Sequence, residues 1–118
     1  MIEKIEDVKK DRVYRAVILE NDYVEVTVLP ELGGRIYSAR DKSNGYDFVY
    51  RNHVIKPALV GLLGPWISGG IEFNWPQHHR PSTYMPVRHQ IKNNLDGSAC
   101  VTVGETENMF GLKALTEI

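Results

Sequence analysis

Asp22-Tyr-Val-Glu-Val-Thr-Val-Leu29 sets Val24, Val26 and Val28 on one side of an extended chain and Tyr23, Glu25 and Thr27 on the other. That period of two is what a half-buried strand requires. Immediately before it, Val13-Tyr-Arg-Ala-Val-Ile-Leu19 is apolar on both faces, and Asn21-Asp22 supplies a turn between the two runs. The pair therefore reads as a β-hairpin. After it, Gly33-Gly34 interrupts the chain ahead of Arg35-Ile-Tyr-Ser-Ala-Arg40. Asn44-Gly45 suits a turn with positive φ, and Tyr46-Asp-Phe-Val-Tyr50 reads as a further strand.

The same alternation returns near the other end. Val87, His89 and Ile91 alternate with Arg88, Gln90 and Lys92; a turn over Asn93 to Gly97 leads to Ala99, Val101 and Val103 alternating with Cys100 and Thr102. Phe110, Leu112 and Ala114 continue the pattern, and Leu115-Thr-Glu-Ile118 still reads as strand, so an open sheet edge is expected there. No segment carries a 3.6-residue period, although residues 1–12 suit a short helix or a flexible lead-in. Residues 53–86 hold five of the six prolines and four of the ten glycines. A structureless loop of that length is uncommon in a compact domain, so short strands are expected at Ala58–Leu63 and Ile71–Asn74. The expected fold is all-β and antiparallel, with the whole chain, residues 1–118, in one unit.

Composition narrows the function classes. With 118 residues, 42% hydrophobic and 25% charged, the chain matches an ordinary globular domain with a small core. Fourteen basic residues against fifteen acidic ones give a formal net charge of -1 and no basic stripe, which argues against nucleic acid. Met1-Ile-Glu-Lys-Ile-Glu-Asp-Val-Lys-Lys10 has no apolar signal region, and no run approaches the roughly 20 apolar residues of a membrane-spanning helix. A cytoplasmic location and no membrane partner follow as expectations. The single cysteine, Cys100, cannot pair within the chain and reads as a buried small hydrophobe.

The midsection carries the chemistry. Gly64-Pro-Trp-Ile-Ser-Gly-Gly-Ile-Glu-Phe-Asn-Trp-Pro-Gln-His-His79 contains both tryptophans, Glu72, Asn74 and two adjacent histidines among turn-forming residues. Indole faces pack on the C–H faces of a sugar, while carboxylate, amide and imidazole bond its hydroxyls. Loops on a rigid scaffold are also where binding groups concentrate. Glu72, after Gly69-Gly70, reads either as a hydroxyl acceptor or acid/base group in a cleft, or as the ion-pair partner of Arg35 or Arg80. Trp66 and Trp75 read as stacking platforms or as core residues. Arg35 and Arg51 offer forked donors to sugar hydroxyls, or else are solvated or salt-bridged. Adjacent histidines on an extended chain point to opposite faces, and neither HxH nor HExxH spacing occurs, so no metal and no cofactor are expected. Gly33-Gly34 reads as backbone geometry and not as a phosphate loop, since no helix follows it.

Leu32-Gly-Gly-Arg-Ile-Tyr37, Tyr50-Arg-Asn52, Lys56-Pro-Ala-Leu59, Gly64 to Pro76, His79-Arg-Pro-Ser-Thr83 and Met85-Pro-Val87 resemble a bacterial family of galactose-mutarotase-like (aldose-epimerase-like) proteins, often fused to tetratricopeptide repeats. The resemblance covers roughly residues 13–118, and the 64–79 motif is its most specific part. It implies the N-terminal portion of a large antiparallel β-sandwich whose concave face binds carbohydrate. His79 aligns with a family histidine, which implies a hydrogen-bond donor or general acid, a task that suits imidazole near neutral pH. In aldose epimerases the glutamate that takes the anomeric proton lies in the second half of the fold, beyond the part this chain matches.

These readings converge on a carbohydrate-binding protein in bacterial sugar metabolism. Glu72 and His79 are the candidate catalytic residues, and Trp66, Asn74, Trp75, Arg35 and Arg51 the candidate substrate contacts. An aldose 1-epimerase-like or glycosidase-like enzyme is the alternative, since anomeric chemistry needs paired acid and base groups. A structural module with a vestigial sugar site is a further one. Self-association through the exposed sheet edge, giving a homo-oligomer, is expected in either case.

Overall fold

The computed structural model describes residues 8–59, 65–75, 83–108 and 110–118. β1 (Val17–Glu20), β2 (Val24–Leu29) and β3 (Arg35–Asp41) form one antiparallel sheet in that order. A two-stranded ribbon follows, β4 (Ala58–Leu59) with β5 (Pro65–Trp66). β6 (Arg88–Asn93), β7 (Ala99–Thr106) and β8 (Lys113–Glu117) form the second three-stranded antiparallel sheet. A 3₁₀ turn occupies Pro30–Leu32, and no described helix is long and apolar enough to cross a membrane.

The two larger sheets meet face to face. Val17 pairs with Val28 and Leu19 with Val26, so these four side chains share the inner face of the first sheet. Val101 and Val103 of β7 pack on that face and form one buried cluster with Val28, flanked by Ile36, Phe73, Val87 and Ile118. A fully buried valine contributes roughly 1.5–3 kcal/mol, so this apolar seam holds the sandwich together. Gly34 makes the close approach possible. Its φ is 69°, and a Cβ there would lie 2.7 Å from the Cβ of Val103. A second cluster, Leu29, Leu32 and Ile67 with Tyr14, Tyr37, Ile55 and Tyr84 around it, fastens the irregular midsection to the end of the first sheet.

The hairpins form where turn chemistry directs them. The Asn21 side chain accepts the amides of Tyr23 and Val24 between β1 and β2. Gly45 and Gly97 take positive φ at the tips of their turns. Three expectations need correction. Tyr46–Tyr50 is not a strand, because the Asp47 carboxylate accepts the amides of Ala39 and Val49 at 3.1 Å and displaces the backbone ladder. What remains there is an isolated bridge between Arg40 and Asp47. Ile71–Asn74 likewise shrinks to one bridge between Ile71 and Ile36. Cys100 is half-buried on the face of β7 opposite Val101, not in the core. Residues 8–12 are not helical, and the remainder of the proposed lead-in lies outside the described residues.

Candidate functional site

Gly69 and Gly70 set the path of the midsection. Gly69, at φ 96°, bridges Arg51, and a Cβ on it would stand 2.6 Å from the amide nitrogen of Asn52. For Gly70, at φ 79°, a Cβ would stand 2.6 Å from the carbonyl oxygen of Ile36. Any side chain would push this segment off its neighbours. With both positions bare, Gly70 donates its amide to the Tyr50 carbonyl at 2.6 Å, and Ile71 and Ile36 exchange a pair of backbone hydrogen bonds of 2.8 and 3.2 Å. The chain is thereby laid against β3 just before Glu72.

Arg35 sits beneath this crossing and is 1% exposed. Its Nε donates to the Leu32 carbonyl at 3.2 Å, one terminal nitrogen donates to Ile67 and Gly69 at 2.9 and 2.8 Å, and the other donates to Thr83 at 2.7 Å. Desolvation pushes the guanidinium pKa below its ordinary value, and the negative charge of Glu72 pushes it back up. The expectation that Arg35 reaches sugar hydroxyls is therefore corrected: its donors face backbone carbonyls inside the protein. An arginine next to two glycines gave no sequence signal of burial, because three of its four acceptors come from two distant stretches of the chain.

Glu72 lies near enough to Arg35 for its negative charge to favour the charged guanidinium. It is half-buried, and its Oε1 is shut off from solvent. Asn74 and Trp75 stand elsewhere. With Gly33 and Phe73 they line a hollow of ≈ 60 Å³ against Val103, Glu105, Ala114 and Thr116 of β7 and β8. Both are exposed, and the Trp75 residue is 42% accessible. Enclosing ligand pockets usually run to about 300–1,000 Å³, so this hollow is a surface contact and not an enclosure.

The other expected residues spread over the same side of the sequence but not into that hollow. Trp66 lies half-buried on β5, opposite Ala58. Arg51 has its Nε 3.6 Å from Asp47 and its guanidinium carbon 5.4 Å from the centre of the Tyr37 ring, so an ion pair and a cation–π contact orient it. His79, like His78 and Arg80, lies outside the described residues. Among the described residues no group of three His, Cys, Asp or Glu side chains is placed to hold a metal. The structure adds a second hollow, ≈ 210 Å³, between Arg15, Pro30, Glu31, Pro86, Val87 and His89. No sequence pattern marked it, since His89 joins Arg15 and Glu31 from a distant part of the chain. It also adds Glu107, 5% exposed, whose carboxylate accepts the amides of Phe110 and Leu112 and shapes the entry to β8.

Comparison with known proteins now places the architecture. A crystal structure of a TPR-domain containing protein from Parabacteroides distasonis ATCC 8503 is similar, with a TM-score of 0.74 and 33% identity over 83% of this chain. The match spans 17% of that longer protein. Residues 3–118 match the family described as Domain of unknown function (DUF5107), and the chain belongs to that family.

Proposed function

We propose that the chain is a carbohydrate-binding domain and that the Asn74–Trp75 hollow is its contact surface. The observation that carries this reading is Trp75, a tryptophan residue 42% exposed that lines one hollow with Asn74, Glu105 and Thr116. A large aromatic is normally buried, and one left open among polar groups offers a saccharide a flat apolar face with hydrogen-bonding atoms at its rim. The small volume suits an open platform that meets one face of a sugar ring. The resemblance to galactose-mutarotase-like sandwiches supports the same reading, as does the antiparallel two-sheet architecture. Glu72, set beside a buried cation, acts here as a fixed carboxylate, and His79 supplies the imidazole if the domain also turns over its ligand.

The test is calorimetric titration of the protein and of Trp75→Ala with galactose, glucose and their oligomers. Saturable binding is expected, weakened about two- to tenfold in the variant, as loss of a ring contact of roughly 0.5–1.5 kcal/mol implies. Equal affinity in both proteins, or none in either, would remove the reading. Polarimetry on the same sugars separates binding from catalysis, because only an epimerase accelerates anomer exchange.

One observation favours a second reading, an interaction module that self-associates. Every residue of β6 is exposed, including Ile91 at 52%, and Leu115 of β8 is 61% exposed. Among the described residues these two edge strands have a partner on one side only. Open edges of this kind pair with other chains. Light scattering tests it: a dimer or larger species supports edge pairing, and a monomer at all concentrations contradicts it.

A further inference from the structure

We infer that Arg35 is the positioning residue of the candidate site, a single side chain that fixes both flanks of the segment carrying it. This rests on the reading of Asn74 and Trp75 given above only for the name of what is positioned. Arg35 leaves β3 and donates to Ile67 and Gly69 on the near flank and to Thr83 on the far flank, with Leu32 holding its own stem. Glu72, Asn74 and Trp75 lie in the sequence between those anchors, as does His79. Phe73, packed on the Val28 cluster, is the apolar counterpart that seats the segment on the sandwich.

A guanidinium suits this post for a geometric reason. It is planar, stays charged even when desolvated, and projects its donors in fixed divergent directions, so carbonyls arriving from different loops are satisfied at once. An ammonium in its place is a compact point charge with three donors and no fixed fork. The carbonyls it failed to reach would remain buried without a donor, which loosens the segment and not the sheets. Glu72 adds a compensating negative charge close to the buried cation. Gly70 is part of the same arrangement, since a Cβ there would lie 3.5 Å from Cδ of Arg35.

Amide hydrogen exchange on Arg35→Lys tests this. The expected result is a loss of protection of about tenfold or more at Gly70 and Ile71, the size of one charged hydrogen bond left unmade. Thr27 and Thr102, in the two sheets, should keep wild-type protection, and the indole N–H of Trp75 should shift. Uniform loss of protection, or outright unfolding, would overturn the inference by making Arg35 a support of the entire fold. Unchanged exchange at Gly70 and Ile71 would overturn it from the other side. The wild-type protein gives a check free of any variant: the terminal Arg35 N–H groups that reach Ile67, Gly69 and Thr83 should be protected, each relative to its own unprotected rate, to the same degree as the Gly70 and Ile71 amides, and protection unrelated to theirs contradicts the clamp. Saccharide titration of Arg35→Lys keeps the two ideas apart. A wild type that binds no sugar removes the ligand reading, while the exchange pattern still decides the positioning role.

Discussion

Val28, Val101 and Val103 meet between two sheets in a cluster flanked by further apolar side chains, whereas residues 67–72 are held by a buried cation, two bare glycines and a pair of backbone bonds. The first region is stabilised by area removed from water, a term that tolerates small shifts and spreads over many contacts. The second is stabilised by directed bonds that fail one at a time and are costly when left half made. A scaffold of the first kind carrying a segment of the second kind is a sensible division, because a recognition surface needs a defined shape more than it needs depth. Substitutions in the two regions should therefore fail differently.

The largest effect is expected from Gly34→Ala, which adds a Cβ 2.7 Å from Val103 at a φ of 69°. Left-handed strain of roughly 1–2 kcal/mol and overpacking of about 1–3 kcal/mol combine there, and urea unfolding should show a loss of about 3 kcal/mol. Val101→Ala comes next, at about 2–3 kcal/mol, also as one cooperative loss across both sheets. If either variant unfolded only the midsection, the comparison between the regions would be broken. Gly70→Ala sharpens it from the other side. We expect about 2–3 kcal/mol, from the same left-handed strain and close contact, seen in exchange at Ile71 and absent from Thr102. Trp75→Ala should cost about 1 kcal/mol or less, since the residue is already 42% exposed.

Acid should have the smallest effect. The Asp41 and Asp96 carboxyls are held below the ordinary 3.8 by the hydroxyls and amides of Ser43 and Ser98. Glu20 is held below 4.5 by its hydrogen bond and attraction to Lys42. Folded values that are depressed contribute stability above the unfolded values and lose it as pH falls through the folded ones. Thermal midpoints should therefore stay flat from neutral pH down to about pH 5 and decline slightly below the ordinary carboxylate range. Glu20 and Asp96 are exposed and Asp41 is partly so, so the decline should be shallow, and a steep one would show that other carboxylates govern acid stability instead.

How much of this was legible in the chain depends on how local the deciding contact is. Val24 to Val28 and Ala99 to Val103 show their buried faces by alternation, and Asn21, Gly45 and Gly97 mark their own turns. Gly69-Gly70 likewise reads as a place of close approach, which the Asn52 and Ile36 backbones explain. Tyr46 to Tyr50 misleads because one side chain, Asp47, takes hydrogen bonds that a strand would give to its neighbour. Arg35 misleads more deeply. Its residue type argues for a surface, and only the convergence of Leu32, Ile67, Gly69 and Thr83 makes burial favourable. Trp75 and Asn74 were visible as suitable chemistry, but the hollow they share with Glu105 and Thr116 depends on strands much later in the chain.

The most direct test follows the indole N–H of Trp75 in a ¹H–¹⁵N correlation spectrum as galactose, glucose and their oligomers are added. The account predicts a saturable shift of that resonance and of the Asn74 side-chain amide, with the Val28 and Val101 amides unmoved. Saturating saccharide that leaves the Trp75 signal in place, or that moves only resonances remote from the 73–75 segment, would contradict it.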